Sequence, residues 1–210
     1  MIASIFSGCS FQAPQNYNQF KASTAFSSYT KNFLSAKDAL AKNDLKRSIE
    51  HAKQGADYKA LANIYLGECA LNISVGIKSQ CEKYIEISDL SHSASSKAYF
   101  DLITNNIKSN EINHLPGIYQ EFAQHLCHKE FSSAYQEVLK MDNITSLLIS
   151  ASLIRNSLQT NQIEVIISKA SFYGYKKSTL FWLEELKNLT NDTKQKEKIS
   201  KKISLLISKN

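Results

Sequence analysis

The tetrapeptide HLCH, at positions 125–128, brings together the side chains of this 210-residue chain that are best suited to hold a metal ion. His125 and His128 lie three positions apart, so on a helix both imidazoles can lean toward one ion, with Cys127 between them. Zinc requires further ligands, and His114 is the nearest upstream candidate. The alternative is a pair of partly exposed histidines beside a small buried cysteine. Because the ligand set is incomplete, we expect no bound metal ion and no other cofactor.

Motifs that bind nucleotides or activate a nucleophile are absent from the sequence. The chain has no P-loop, no Gly-x-Gly-x-x-Gly, no Gly-x-Ser-x-Gly, no His-Glu-x-x-His and no Cys-x-x-Cys. No residue is therefore assigned a catalytic role, and we expect a non-enzymatic protein without a small-molecule substrate. The alternative is an enzyme whose site is dispersed over several helices. A pocket that joins His114, His125 or His128 to a carboxylate would favour that alternative.

Two other cysteines, Cys69 and Cys81, are candidates for a disulfide bond. They lie six residues on either side of Val75, where two antiparallel helices are predicted to meet. If both thiols point into this hairpin, their Cα atoms can fall within the ~4.4–6.8 Å range that a disulfide requires. An oxidising compartment would allow the bond, whereas the cytosol would keep thiols. The alternative is two small core cysteines at a tight helix crossing, and Cys127 is free in either case.

The fourth cysteine ends the segment IFSGC, positions 5–9. Two small residues, Ser7 and Gly8, precede Cys9, and this pattern resembles the lipobox of bacterial lipoproteins. Phe6 occupies the position where that family most often has leucine. The resemblance implies that a diacylglyceryl thioether forms on Cys9 and that the chain is cleaved just before it. Residues 1–8 are then the remnant of a signal peptide.

The residues around Cys9 support an anchored protein. Residues 9–16 are polar and uncharged apart from Phe11, Ala13 and Pro14, as expected of a flexible tether that bears the lipid. A signal peptide also needs a basic segment and a longer apolar run, so we expect Met1 to be internal to the signal. The resemblance places the protein in the bacterial envelope, and Ser10 is compatible with an outer membrane location facing the periplasm. The alternative is a frayed cytoplasmic N-terminus with an incidental cysteine.

Composition indicates a helical body that does not bind nucleic acid. Two prolines and six glycines give little turn chemistry for an all-β fold. The formal charge of +6 is concentrated in the lysines that follow position 187. Arg47 and Arg155 are the only arginines, and no aromatic residue interleaves the C-terminal lysines as a base-stacking surface requires. Apart from the N-terminus, no apolar run approaches the ~18 residues that span a bilayer.

Apolar spacing predicts helices from position 17 to the end, in a single domain of residues 17–210. The first helix is predicted to end near Asn43, and Asp44 is predicted to cap a second helix that Gly55 stops. The remaining predicted helices are 58–73, 77–88, 95–109, 116–129, 130–141, 144–158, 163–173, 177–189 and 193–208.

The segment 59–90 resembles a tetratricopeptide unit. In that family the first helix carries a Leu-Gly pair and the second begins with a small residue, as do Leu66, Gly67 and Cys81 here. The proline that usually follows the second helix is missing, and the later hairpins are degenerate. The resemblance implies an all-α fold of antiparallel helical hairpins stacked as a short tetratricopeptide-like solenoid with a C-terminal capping helix. The last helix, rich in lysine, has the alternative of lying on an anionic membrane surface.

The function expected from these features is that of an envelope lipoprotein that binds a protein partner. Stacked hairpins of this kind usually bind partners through their inner helices, which makes Tyr65, Tyr99 and Tyr135 candidates for contacts. The alternative for each tyrosine is a place in the core, because tyrosine packs well between helices. A cytosolic helical adaptor without lipid is the alternative function.

Overall fold

The computed structural model describes residues 17–208, and the regular structure in that range consists of helices alone. The prediction of an all-α fold is confirmed. Cys9 and the tether lie outside the described residues. Two 3-10 segments, Ser109–His114 and Arg155–Ser157, accompany the α-helices. The α-helices are α1 Tyr17–Leu34, α2 Asp38–Gln54, α3 Tyr58–Ser74, α4 Glu82–Ile85, α5 Ser88–Ser91, α6 Ala94–Ile103, α7 Gly117–Cys127, α8 Phe131–Lys140, α9 Ile144–Leu153, α10 Thr160–Phe172, α11 Lys176–Leu189 and α12 Thr193–Ile207.

Short polar side chains fix several helix starts. Asp57 Oδ1 accepts the Ala60 amide at the start of α3, and Asp192 accepts that of Lys194 at the start of α12, both at 2.8 Å. Asn143 Oδ1 accepts the amides of Thr145 and Ser146 at the start of α9. Each acceptor satisfies donors that have no partner within the helix.

The boundary between α1 and α2 differs from the prediction. Helix α1 ends at Leu34, and Ala36 follows with a left-handed φ of +60°, so that the Lys37 amide reaches the Asn32 carbonyl. Asp44 is not a cap. It is buried within α2, where its carboxylate accepts from the Asn32 side chain and pairs with Arg47. Gly55 ends α2 as predicted.

The second helix of the predicted hairpin 58–88 is absent. Residues 77–81 are irregular, and only the four-residue helices α4 and α5 follow. Gly76 and Cys81 both have left-handed backbone angles, with φ of +76° and +57°, and a right-handed helix cannot run through them. No second helix of this hairpin therefore packs against α3 at Gly67. Its bare backbone instead faces the ring of Phe26 on α1, where a Cβ would lie 2.3 Å from Cζ.

Helix α3 lies at the centre of the fold, where it packs against α1, α2, α5, α6 and α9. The last contact joins segments about eighty residues apart. Contacts between α1 and α11 also bring distant parts of the chain together, and an ion pair at 2.5 Å joins Lys177 of α11 to Asp38 at the start of α2. In a linear solenoid each unit touches only its neighbours. The solenoid stacking is thus not confirmed. The helices of the pairs α7–α8 and α10–α11 pack against each other.

The main core runs through the C-terminal half and includes fully buried Phe122, Leu148 and Trp182. Helix α12 contributes Ile199 and Ile203 to this core and leaves Lys194, Lys198, Lys201 and Lys202 exposed, which is the arrangement predicted for a capping helix. Within residues 17–208, none of the helices combines the length and the hydropathy that crossing a membrane requires.

Candidate functional site

A cleft of about 560 Å³ opens between α1, α3, α6, α7 and α9, with the start of α11 at its edge. We call it the central cleft. It is lined by hydroxyl groups, aromatic rings and one amide, with a single charged side chain, Lys31. Its lining residues are Phe26, Ser27, Ser28, Thr30, Lys31, Gly67, Leu71, Tyr99, Tyr119, Asn143, Ile144, Thr145, Ser146, Ile149 and Tyr175.

Hydroxyl groups of two tyrosines and a serine line one wall of the cleft. Tyr119 donates to Ser146 Oγ at 2.9 Å, and Tyr99 lies beside Tyr119. The two rings pack at a centroid distance of 5.4 Å. Burial raises the pKa of both phenols, that of Tyr99 well above its ordinary value. Both groups are therefore neutral hydrogen-bonding groups at physiological pH and not bases.

The start of α9 forms the second polar wall. Asn143 accepts the first amides of the helix, and Thr145 lines the cleft together with Tyr175 at the start of α11. The helix dipole adds positive character to this end, as does Lys31 across the cleft. None of the residues that line the cleft has a carboxylate, imidazole or thiol group. The cleft can therefore hydrogen-bond a polar ligand, but its lining holds no acid–base pair or metal ligand set.

Phe26 divides the central cleft from a second groove along the same two helices. That groove has about 460 Å³ and lies between the first halves of α1 and α3. The ring of Phe26 lines both spaces and rests on Gly67. Both grooves lie along α1 and α3, on either side of Phe26, and together they follow about 18 Å of α1 between Gln19 and Lys31.

A more apolar groove of about 590 Å³ lies between α4, α5 and α6. Tyr84 and Phe100 stack on its wall with centroids 5.2 Å apart. At its rim Lys97 pairs with Asp101 and with Glu111, the latter at 2.9 Å. These pairs raise the pKa of Lys97 and lower that of Glu111. Asp89 and His92 also line this groove and belong to none of these ion pairs.

No protein-family model, no curated protein and no solved structure matches this chain. The site is therefore interpreted from its own residues.

The three tyrosines predicted as partner contacts have different positions. Tyr99 lines the central cleft, and Tyr65 is half-buried on α3 under the Lys83 ammonium. Tyr135 is only 5% exposed and belongs to the core, which is the alternative stated for it, so it is not an exposed contact. The sequence did not indicate Tyr119 or Ser146, because hydroxyl residues spread over many helices form no motif.

Cys69 and Cys81 form a disulfide bond, with their Cα atoms 5.3 Å apart. The geometry differs from the predicted helix pair, because Cys81 stands at the end of the irregular loop 75–81. Ser79 Oγ lies 3.2 Å from the Cys69 sulfur and accepts the Cys81 amide. The bond is buried beneath Leu66, Tyr84 and other residues, including Ile149 of α9.

The histidines of HLCH do not converge. His125 Nδ1 bonds to Glu130 at 2.7 Å, while His128 lies past the end of α7 and bonds to the Gln124 carbonyl. The Cys127 sulfur bonds to the Ile107 carbonyl. Within the described range, no three potential ligands lie close enough to hold a metal ion.

Alkaline pH is expected to unfold the protein through its buried tyrosines. Six phenols have a raised pKa, chiefly because burial disfavours the phenolate. A group whose pKa is higher in the folded chain stabilises the fold below the unfolded pKa, here 10.0, and this stability is lost as the pH rises above it. Above pH 10, each such tyrosine lowers the free energy of unfolding by up to about 1.4 kcal/mol per pH unit. The six are Tyr29, Tyr84, Tyr99, Tyr119, Tyr135 and Tyr175.

The measurement is a titration that follows phenolate absorbance and helical circular dichroism together. Above pH 10 the six phenols should ionise only as the helical signal is lost. In concentrated guanidinium chloride all tyrosines should ionise in one step near pH 10. A native chain that ionises all ten tyrosines near pH 10 and keeps its helices would contradict this prediction.

Proposed function

We propose that this chain is a lipid-anchored protein of the bacterial envelope that binds a segment of a protein partner in the central cleft, without catalysis. The observation that carries the proposal is the lining of that cleft. Its hydroxyl, amide and aromatic groups suit the backbone N–H and C=O groups and the side chains of a peptide. No carboxylate, imidazole or thiol lines it that would perform acid–base or nucleophilic chemistry.

An extended ligand is favoured over a compact one. A second groove lies beyond Phe26 on the same two helices, so a bound chain that passes over this ring would follow α1 for several turns. Asn63 and Lys59 of α3 add polar groups to that second groove. A peptide in this path would contact Tyr99 at one end and α3 along its length.

Two features support the envelope location. The segment IFSGC resembles a lipobox, with Cys9 as the modified residue. The disulfide of Cys69 and Cys81 is the second, since structural disulfides persist in oxidising compartments such as the periplasm and are rare in the cytosol. The cytosolic adaptor without lipid remains the alternative function.

Metabolic labelling with a palmitate analogue tests the anchor. The gene is expressed from its native upstream region, as wild type and as Cys9→Ala. We expect label on the wild type only, with that protein in the membrane fraction. A wild-type chain that is unlabelled and cytosolic would disprove the anchor and leave the adaptor.

A photo-crosslinking amino acid tests the cleft in living cells. Ser27 is exposed on α1 at the rim of the cleft, and Ser168 is equally exposed on α10, outside the cleft. We expect a crosslinker at position 27, but not at position 168, to give one discrete protein adduct. The adduct should disappear when Thr145, inside the cleft, is changed to Trp. Equal adducts at both positions, or none at position 27, would count against binding in the cleft.

A further inference from the structure

Three of the four most exposed large apolar side chains of the described residues belong to the C-terminal helices. Phe172, the last residue of α10, is 85% exposed, and Tyr173 after it is 50% exposed. Leu205 and Ile207, near the end of α12, are 68% and 61% exposed. Phe172, Tyr173, Leu205 and Ile207 do not contribute to the main core, although Ile199 and Ile203 on α12 do. These side chains leave apolar surface in water that the fold does not use.

The connectivity places both groups at one end of the molecule. Helices α11 and α12 pack together and are joined by only three residues, so they run antiparallel. Their lengths are about 21 Å and 22 Å. The end of α12 therefore returns to the level of the turn between α10 and α11, where Phe172 and Tyr173 lie. We call this surface the basic apolar end.

The two segments that form this end carry charge of a single sign. Residues 165–183 and 198–208 contain six lysines and no acidic residue. Lys177 is paired with Asp38 of α2 and lies over the Phe33 ring. The other five form no ion pair within the part of the chain that the structure describes. They are Lys169, Lys176, Lys198, Lys201 and Lys202.

We infer that the basic apolar end binds the surface of an anionic lipid bilayer. Exposed aromatic and aliphatic side chains partition into the region of the headgroups, and lysines beside them pair with lipid phosphates. A bilayer supplies both the apolar region and the negative charge that this end complements. The α12 stripe of Ile199 and Ile203 is buried, so the contact uses the end of the helix and not its core-facing side. The inference adds a second membrane contact to the proposed lipid anchor but does not depend on it.

Co-sedimentation with vesicles tests the inference on the full chain carrying Cys9→Ala, so that no lipid anchor contributes. We expect this protein to bind vesicles of phosphatidylglycerol and phosphatidylcholine at least tenfold more tightly than vesicles of phosphatidylcholine alone. High salt should remove most of the difference, because it screens the lysines. The double variant Phe172→Ser/Leu205→Ser should bind anionic vesicles at least tenfold more weakly.

Two matched controls distinguish binding through this surface from non-specific binding to vesicles. The variant Ile85→Ser/Leu90→Ser removes two apolar side chains that are also more than half exposed, on α4 and α5, and should bind as the parent does. Lys201→Gln/Lys202→Gln should weaken binding, whereas Lys42→Gln/Lys46→Gln on α2 should weaken it less. Equal loss in both apolar variants would overturn the inference. So would failure of the parent to bind anionic vesicles, in which case a protein is the occupant of this surface.

Discussion

Replacing Cys69 and Cys81 together with alanine is expected to lower the free energy of unfolding by about 3 kcal/mol. The bond closes a loop of about 13 residues, and the chain-entropy model assigns roughly 3 kcal/mol to a loop of that size. The loop 75–81 has no helix of its own, so its position depends on the bond and on Ser79. For a chain of this length the loss corresponds to a melting temperature lower by roughly 6–12 °C.

Adding a reductant distinguishes the contribution of the disulfide bond to stability from that of the packing of the two side chains. A reductant should lower the stability of the wild type to near that of the double variant and leave the double variant unchanged. Cys127→Ala, which removes a half-buried free thiol, should cost less than about 1 kcal/mol and keep the response to reductant. A wild type whose stability is insensitive to reductant would show that the two cysteines are thiols of the core. That result would also remove one support for the envelope location.

The C-terminal helices were predictable from the sequence because several kinds of local signal agree there. Helices α11 and α12 begin and end within about one residue of the prediction. Gly174 supplies the left-handed turn before α11, and Asp192 supplies the cap of α12. Apolar residues recur with helical spacing between those points. Where a glycine, a cap and a period coincide, the boundary follows from local chemistry.

The boundary between α1 and α2 was mispredicted because its signal is hidden. Ala36 holds the left-handed position that glycine usually takes, and alanine is the strongest helix former. Asp44 looked like a cap because nothing in the local sequence shows that Asn32 and Arg47 satisfy its carboxylate. Contacts between helices determine the conformation of Ala36 and the role of Asp44, and local sequence preferences give no information about those contacts.

The central cleft was beyond prediction for a related reason. Its walls come from α1, α3, α6, α7 and α9, and the N-terminal walls face the later ones because α3 packs against α9. A solenoid of neighbouring hairpins would have kept α3 and α9 apart. The closed arrangement therefore creates the cleft, and the contacts that close the chain are the ones that decide whether the proposed function is possible.

The sharpest test of this closure is Gly76→Ala, for which we expect a loss of about 3 kcal/mol in the free energy of unfolding. Gly76 ends α3 with φ of +76°, so a side chain costs about 1 kcal/mol in backbone strain alone. A Cβ there would also lie 2.4 Å from the Phe181 ring of α11. Displacing a packed ring accounts for the remaining ~2 kcal/mol. The measurement is urea denaturation followed by circular dichroism.

Two other glycines distinguish the cost of backbone strain from the cost of the steric clash with Phe181. Gly174 has φ of +68° with no atom near its Cβ position, so Gly174→Ala should cost only about 1 kcal/mol. Gly117 has neither feature, and Gly117→Ala should leave stability unchanged or slightly raised. In the background of Phe181→Ala, the cost of Gly76→Ala should fall to that of Gly174→Ala, because the ring is gone. If Gly76→Ala already costs no more than Gly174→Ala in the wild type, Phe181 does not rest on the end of α3. The contact that joins α11 to Gly76, just after α3, would then be absent.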